Sequence, residues 1–225
     1  PQSIYHNPNS VSRDIFYFLH FLFLKIPLPQ TGTHYPLTLF FTREGYVKKI
    51  SAISLRSSTT EHKLKEDDEI SQVVETTNKT EILFFTNKST VYKTKAYELP
   101  DGKVSAMGEY VPTRLGMESD EKAIYMVVTT DYKGMMVFSF ENGKMAKVEL
   151  SNYYTKTNRK KLIGAYSDKS PVCDIRHIEE DTDLILFGDN GKVLCVNTEN
   201  IPLKATKNTQ GIQVLTLKKK GAKMI

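Results

Sequence analysis

The sequence predicts an all-β, propeller-like domain of about four blades with four strands each, and three observations carry that expectation. One hairpin pattern occurs four times, at 39–49, 82–93, 136–147 and 184–193: an apolar strand, a tight polar turn, and a second strand bearing lysine. The turn residues Gly45, Ser89, Gly143 and Gly191 lie 44, 54 and 48 positions apart, a spacing that suits a blade repeat. Between the hairpins, runs rich in Val, Ile, Phe and Tyr alternate with Asn, Gly, Asp and Lys turns, and no long helical period is present.

Taken in order, residues 1–36 stand outside the repeat. Their apolar run at 15–26, closed by Pro27 and Pro29, is shorter than the ~20 residues a bilayer span needs. No basic residue precedes Arg13, which argues for an unrelated leader or a buried strand pair over a secretory signal. From residue 37 onward the repeats fall near 37–69, 70–121, 122–170 and 171–225. The sequences Glu-Asn-Gly at 141–143 and Asp-Asn-Gly at 189–191 supply the positive φ that two-residue hairpin turns require. A further strand precedes each later hairpin, at 70–76, 123–129 and 172–178, and is read together with the hairpin that follows it. A last strand is expected at 211–217, giving four strands in about 48 residues.

Composition bounds the chemistry. With 31 Lys and Arg against 26 Asp and Glu, the formal charge is +5, an excess that suits a polyanion only if it gathers on one face. Cys173 and Cys195 are too few for a disulfide framework and lie in apolar strands, so they read as small core residues in a reducing, cytoplasmic protein. The five histidines are scattered without metal-ligand spacing, and neither a phosphate-cradling glycine loop nor a nucleophile elbow is present. No catalytic or metal site is expected.

The basic residues are the candidates for function. The hairpins place Arg43, Lys48 and Lys49, then Lys93 and Lys95, then Lys144 and Lys147, then Lys192 at recurring positions. Alternation along a strand puts Lys93 and Lys95 on one face, with Tyr92 and Thr94 opposite. If these second strands are outermost, the lysines either block edge pairing or form a rim that contacts phosphate. Loops add Arg114, the run Arg159, Lys160 and Lys161, and Lys204 and Lys207, which read as a phosphate clamp or as solvated charge.

The hairpins and loops also resemble a known family. The segments 41–49 (Phe-Thr-Arg-Glu-Gly-Tyr-Val-Lys-Lys), 81–100, 157–161 (Thr-Asn-Arg-Lys-Lys) and 208–212 (Asn-Thr-Gln-Gly-Ile) are similar, in the same order, to the C-terminal domain of the type IIA DNA topoisomerase A subunit, in gyrase and topoisomerase IV. The resemblance implies a β-pinwheel that binds duplex DNA around its basic outer edge and bends it. It also implies partners in an A2B2 assembly, namely the rest of the A subunit together with the ATPase B subunit, with no membrane involved. ATP and Mg²⁺ would be used elsewhere in that bacterial isomerase, leaving no cofactor for this chain. The chain has no Arg-Tyr pair of the kind that marks the family's cleaving tyrosine. The glycine- and arginine-rich box of gyrase is missing too, since the loop at 55–63 has one arginine and no glycine, while 206–211 resembles a relic of it. Gyrase-like and topoisomerase IV-like roles both stay open, beside a protein-interaction module of the same architecture that binds no DNA.

Overall fold

The structure, a computed structural model, describes residues 34–218 and 221–225. The expectation for the leader therefore falls almost wholly outside the described residues. The four expected hairpins form: β1 (Pro36–Thr42) with β2 (Tyr46–Ser51), β4 (Glu81–Thr86) with β5 (Thr90–Lys95), β8 (Met135–Phe140) with β9 (Lys144–Glu149), and β12 (Asp183–Phe187) with β13 (Val193–Asn197). Their turns are built alike. Gly45, Gly143 and Gly191 have φ between 80° and 87°, and Ser89 takes the same left-handed place at 55°.

The strand before each later hairpin pairs backwards. β3 (Ile70–Thr77) joins β1, β7 (Ala123–Thr129) joins β4, and β11 (Val172–Ile178) joins β8, each antiparallel. All three ladders slip register at the matching place, at Phe41/Thr42, Phe85/Thr86 and Val172/Asp174. Each of the first three sheets is thus a hairpin flanked by the first strand of the next sequence copy, and not by the strand that precedes it. On the other side lies a short strand: β6 (Glu109–Tyr110) on β2, β10 (Lys161–Ile163) on β5, and β14 (Leu203–Lys204) with β15 (Ile212–Gln213) on β9. The strand expected at 211–217 shortens to β15 and pairs with the third hairpin, so the fourth sheet holds β12 and β13 alone. Two five-residue helices, α1 (Ala52–Arg56) and α2 (Val111–Leu115), sit in the connections.

Both faces of the inner sheets are covered. Leu39 and Phe41 of the first sheet pack with Ile82, Phe84 and Met126 of the second. Leu83, Phe85 and Val91 of the second pack with Met136, Phe138, Ala146 and Val148 of the third, and Val137 and Met145 of the third pack with Leu186 of the fourth. Such burial on both sides explains why β4 and β8 read as continuous apolar runs. The free face of the first sheet is closed locally, where Phe40 and Ile50 meet Val104, Leu55 and Ile70.

A buried carboxylate ties the second sheet to the chain entering β7. Glu121, 3 % exposed, accepts hydrogen bonds from the Thr86 hydroxyl at 2.7 Å, the Tyr92 hydroxyl at 2.8 Å and the Glu118 N–H at 3.4 Å. Burial alone would raise its pKa, but these donors and the Lys161 charge outweigh it and hold the value below the ordinary one. A depressed carboxylate pKa stabilises the fold above the unfolded value of about 4.3 and loses that contribution as pH falls through the folded value. Denaturant titrations at pH 7 and pH 3 should therefore show a smaller acid-induced loss of stability for Glu121→Gln than for the parent chain.

Candidate nucleic-acid interface

The lysines expected on the rim are mostly interior. Lys49, Lys93 and Lys147 occupy matching ladder positions, opposite Leu39, Leu83 and Val137, and are 4, 4 and 5 % exposed. Each ammonium reaches the segment at or just after the 3₁₀ turn of the next hairpin. Lys49 pairs with Asp101 at 3.1 Å. Lys93 meets the Tyr153 carbonyl at 3.3 Å and the Thr155 hydroxyl at 3.2 Å, as well as Glu81 of its own sheet at 3.5 Å. Lys147 meets the Thr198 carbonyl at 2.8 Å and Asp181 at 2.9 Å. Lys48 is likewise buried, with its ammonium on the carbonyls of Lys63 at 2.5 Å and Val104 at 3.3 Å. Desolvation pulls the pKa of Lys48 down, and does the same for Lys93 against the opposing pull of Glu81. These four residues are corrected from phosphate contacts to internal staples. The physical reason is that β2, β5 and β9 are not outer strands: β6, β10 and β14 lie beyond them, the next sheet covers the face of Lys49, Lys93 and Lys147, and the connections around Lys63 and Val104 cover that of Lys48.

The half-buried Lys95 does share a face with Lys93, since both reach the Glu81 carboxylate, at 3.4 and 3.5 Å. The turn and loop bases reach solvent. Arg43 is exposed and paired with Glu69, Lys144 donates to the Gln210 side chain at 2.9 Å, and Lys192 donates to the Thr216 carbonyl at 2.8 Å. Lys204 is half-buried in β14.

A second group of predicted bases comes together around β10. Arg114 at the end of α2 donates to the Glu98 carbonyl at 2.6 Å, and Lys160 pairs with the Glu98 carboxylate at 3.3 Å. The Lys160 carbonyl is held by the Lys93 N–H at 2.8 Å, which fixes the strand on which Lys161 projects over the Tyr92 ring at 5.2 Å. Lys207 arrives from the loop after β14 and sits over the Tyr153 ring at 5.6 Å. Burial lowers its pKa, and the nearby Arg159 charge adds to the effect. Among the described residues Arg159, Lys156 and Lys207 have no carboxylate partner, so this edge keeps a net positive field.

Sequence reasoning did not find the aromatic seats Tyr92 and Tyr153, nor the exposed Ile163 between the basic loop and Gly164. The signal for Tyr92 is its register opposite Lys161, which only the long-range pairing of β10 with β5 provides. Both cysteines are exposed, against the expectation of core packing. Cys173 lies on the outward side of β11, though desolvation of its thiol, set 3.4 Å from the Ser139 carbonyl, still pushes its pKa up to about 11. Cys195 lies on the exposed face of the fourth sheet, beside Ile185, Phe187 and Val193. Among the described residues no cluster of His, Cys, Asp and Glu could hold a metal, and no helix is long and apolar enough to cross a membrane.

Comparison with known proteins agrees with the repeat and its layout. The profile of the family described as DNA gyrase C-terminal domain, beta-propeller, matches residues 38–76, 80–114 and 182–223. The gyrase A protein of Clostridium acetobutylicum is 28 % identical over 175 residues, covering 73 % of this chain and 21 % of that protein. Its counterpart in Streptomyces coelicolor is 34 % identical over 120 residues, covering 50 % of this chain and 14 % of that protein. The chain therefore spans about a fifth or less of the length of these relatives. The crystal structure of the C-terminal domain of DNA topoisomerase IV superposes with a TM-score of 0.75 at 25 % identity, over 86 % of this chain and 61 % of that one. With the repeated hairpins, the sheet order and the profile in agreement, the chain belongs to the DNA gyrase C-terminal domain family of β-propellers.

Proposed function

We propose that this chain binds and bends duplex DNA along the β10 edge, as the C-terminal domain of the A subunit in a bacterial type II topoisomerase of gyrase or topoisomerase IV type. The observation that supports it is the convergence of Arg114, Arg159, Lys160, Lys161 and Lys207 from three separate connections onto one outer edge. A cluster of bases on a helix end, two loops and the short strand β10 suits a backbone-reading surface, because phosphate contacts need charge and spacing and no sequence-reading element. Bending a duplex over the edge costs several kcal/mol, offset by contacts shared along the curve.

In this reading the chain contributes substrate geometry and no cleavage chemistry. Strand passage, ATP and Mg²⁺ belong to the rest of the A subunit, together with the ATPase B subunit, in an A2B2 assembly in the cytoplasm. The two free thiols suit that reducing compartment.

Fluorescence anisotropy with a duplex of about 40 base pairs tests the reading. Five phosphate contacts predict a slope of log affinity on log salt of about −4 to −5, equal for unrelated sequences. Affinity that hardly changes between low and moderate salt would refute the basic edge as the binding surface. Ligating nicked plasmid in the presence of the chain separates the two family roles, since a shift in linking number reports chiral wrapping and its absence reports bending alone.

A further inference from the structure

Two departures from the repeat meet in the third sheet. The 3₁₀ turns after β5, β9 and β13 start alike, each first residue donating its N–H to the connection before its own hairpin. Ala96 reaches the Thr80 carbonyl at 2.9 Å, Leu150 that of Gly134 at 3.0 Å and Thr198 that of Thr182 at 2.9 Å. Counted on from these anchors, the chain places the buried Leu99, Tyr153 and Ile201, and then Pro100, Tyr154 and Pro202. Proline serves that last position in two copies, so the fold itself requires no aromatic ring there. Tyr154 is nevertheless 59 % exposed, and the connection supporting it is the longest of its kind: residues 130–134 join β7 to β8, against 78–80 and 179–182 at the matching places.

That longer connection carries Tyr132 in left-handed backbone, with φ at 56°, a costly conformation for a bulky residue. The Tyr132 N–H donates to the Thr129 hydroxyl at 2.9 Å, and its own hydroxyl donates to Glu81 at 2.6 Å. So fixed, its ring meets that of Tyr154 at 5.4 Å between centres and 78° between planes. A perpendicular contact occupies at most one of the two faces of Tyr154. The main chain around it is clamped as well. The Tyr154 N–H donates to the Ser151 carbonyl at 3.0 Å, and the Lys93 ammonium holds the Tyr153 carbonyl before it and the Thr155 hydroxyl after it.

Charge surrounds this open ring. Lys207 stands over the ring of the preceding residue, Tyr153, while Lys156 and Arg159 follow Tyr154 in the same loop. These are the three cations that keep the edge positive. We infer that Tyr154 is a stacking platform for an unpaired nucleobase of DNA, with the flanking cations on the phosphates to either side. The inference rests on DNA binding at the β10 edge and adds a preference to it. Cations alone read paired and unpaired backbone alike, whereas a rigid aromatic face favours a base whose own face has been freed from the stack.

Anisotropy with three 40-base-pair-class probes of about equal length tests it: an intact duplex, one with a single-nucleotide gap opposite thymine, and one with the same gap opposite an abasic residue. The two gapped duplexes bend with similar ease, so their difference reports the base. The thymine gap should bind more tightly than the abasic gap by about 5- to 150-fold, with the same salt slope, because stacking neutralises no phosphate. Tyr154→Leu, which keeps an apolar contact on Tyr132, should remove that preference and leave intact-duplex affinity unchanged, and Tyr154→Phe should retain it. With 5-iodouracil as the unpaired base, photocross-linking should mark Tyr154 in the unaltered chain. Intact-duplex binding with equal affinity for the two gaps, a preference that survives Tyr154→Leu, or a cross-link placed elsewhere would overturn this inference alone. Absence of binding to all three duplexes at low salt would overturn the basic edge along with it.

Discussion

Lys93→Ala is expected to destabilise the fold by about 2–4 kcal/mol without weakening DNA binding by the molecules that remain folded. The substitution strips the Tyr153 carbonyl and the Thr155 hydroxyl of a donor and removes one of two cations from Glu81, which keeps Lys95 at 3.4 Å and the Tyr132 hydroxyl at 2.6 Å. A buried acceptor left unpaired costs about 1–3 kcal/mol, and breaking a buried ion pair about 3–5, with the residual partners of Glu81 lowering the latter figure. Lost packing of the lysine stem, whose ammonium lies 5.1 Å from the Tyr132 ring centre, adds to the effect. Urea denaturation would show a lower midpoint at unchanged slope. A parallel anisotropy titration at a temperature where both proteins are folded would show equal affinity. A Lys93→Ala protein of normal stability and weakened DNA binding would return this lysine to the rim.

The opposite pattern is expected for Arg159→Glu combined with Lys160→Glu and Lys207→Glu. Stability should change by only about 1–2 kcal/mol, since among the described residues the losses are the exposed ion pair from Lys160 to Glu98 and the Lys207 contact with the Tyr153 ring. DNA affinity at low salt should fall by two or more orders of magnitude, because three attractive contacts become repulsive. The salt slope should shrink by about 3, one unit for each phosphate no longer neutralised. Anisotropy over a salt series measures both quantities, and an unchanged slope would move the DNA path away from β10.

Much of the fold is legible in the residues themselves. Asn-Gly at 142–143 and 190–191 announces turns that need left-handed backbone, and those turns are present at Gly143 and Gly191. Ser89, with φ at 55°, is recognisable only by its place in the period. The lysines were expected at the surface, although the sequence held the correction. Ile82, Leu83, Phe84 and Phe85 form an unbroken apolar run, which means that β4 is covered on both faces. Its hairpin partner β5 must then be covered as well, and a lysine in the middle of β5 has to be interior and paired. The cluster around β10 is not legible as a cluster. Arg114, Arg159 and Lys207 are far apart in sequence, and only the docking of β10 on β5 and of the loop after β14 beside it brings them together.

The backward pairing of β3, β7 and β11 separates the unit that is copied in sequence from the unit that folds. The second, third and fourth copies each donate their first strand to the sheet before, so consecutive sheets are joined like links of a chain. Unfolding the whole of the second, third or fourth copy breaks a ladder in the sheet before it, which spreads a local opening along the array. The same offset makes the number of links adjustable. A whole copy inserted or deleted restores an identical junction, so the length of the basic arc can change by duplication while the contacts between sheets stay the same.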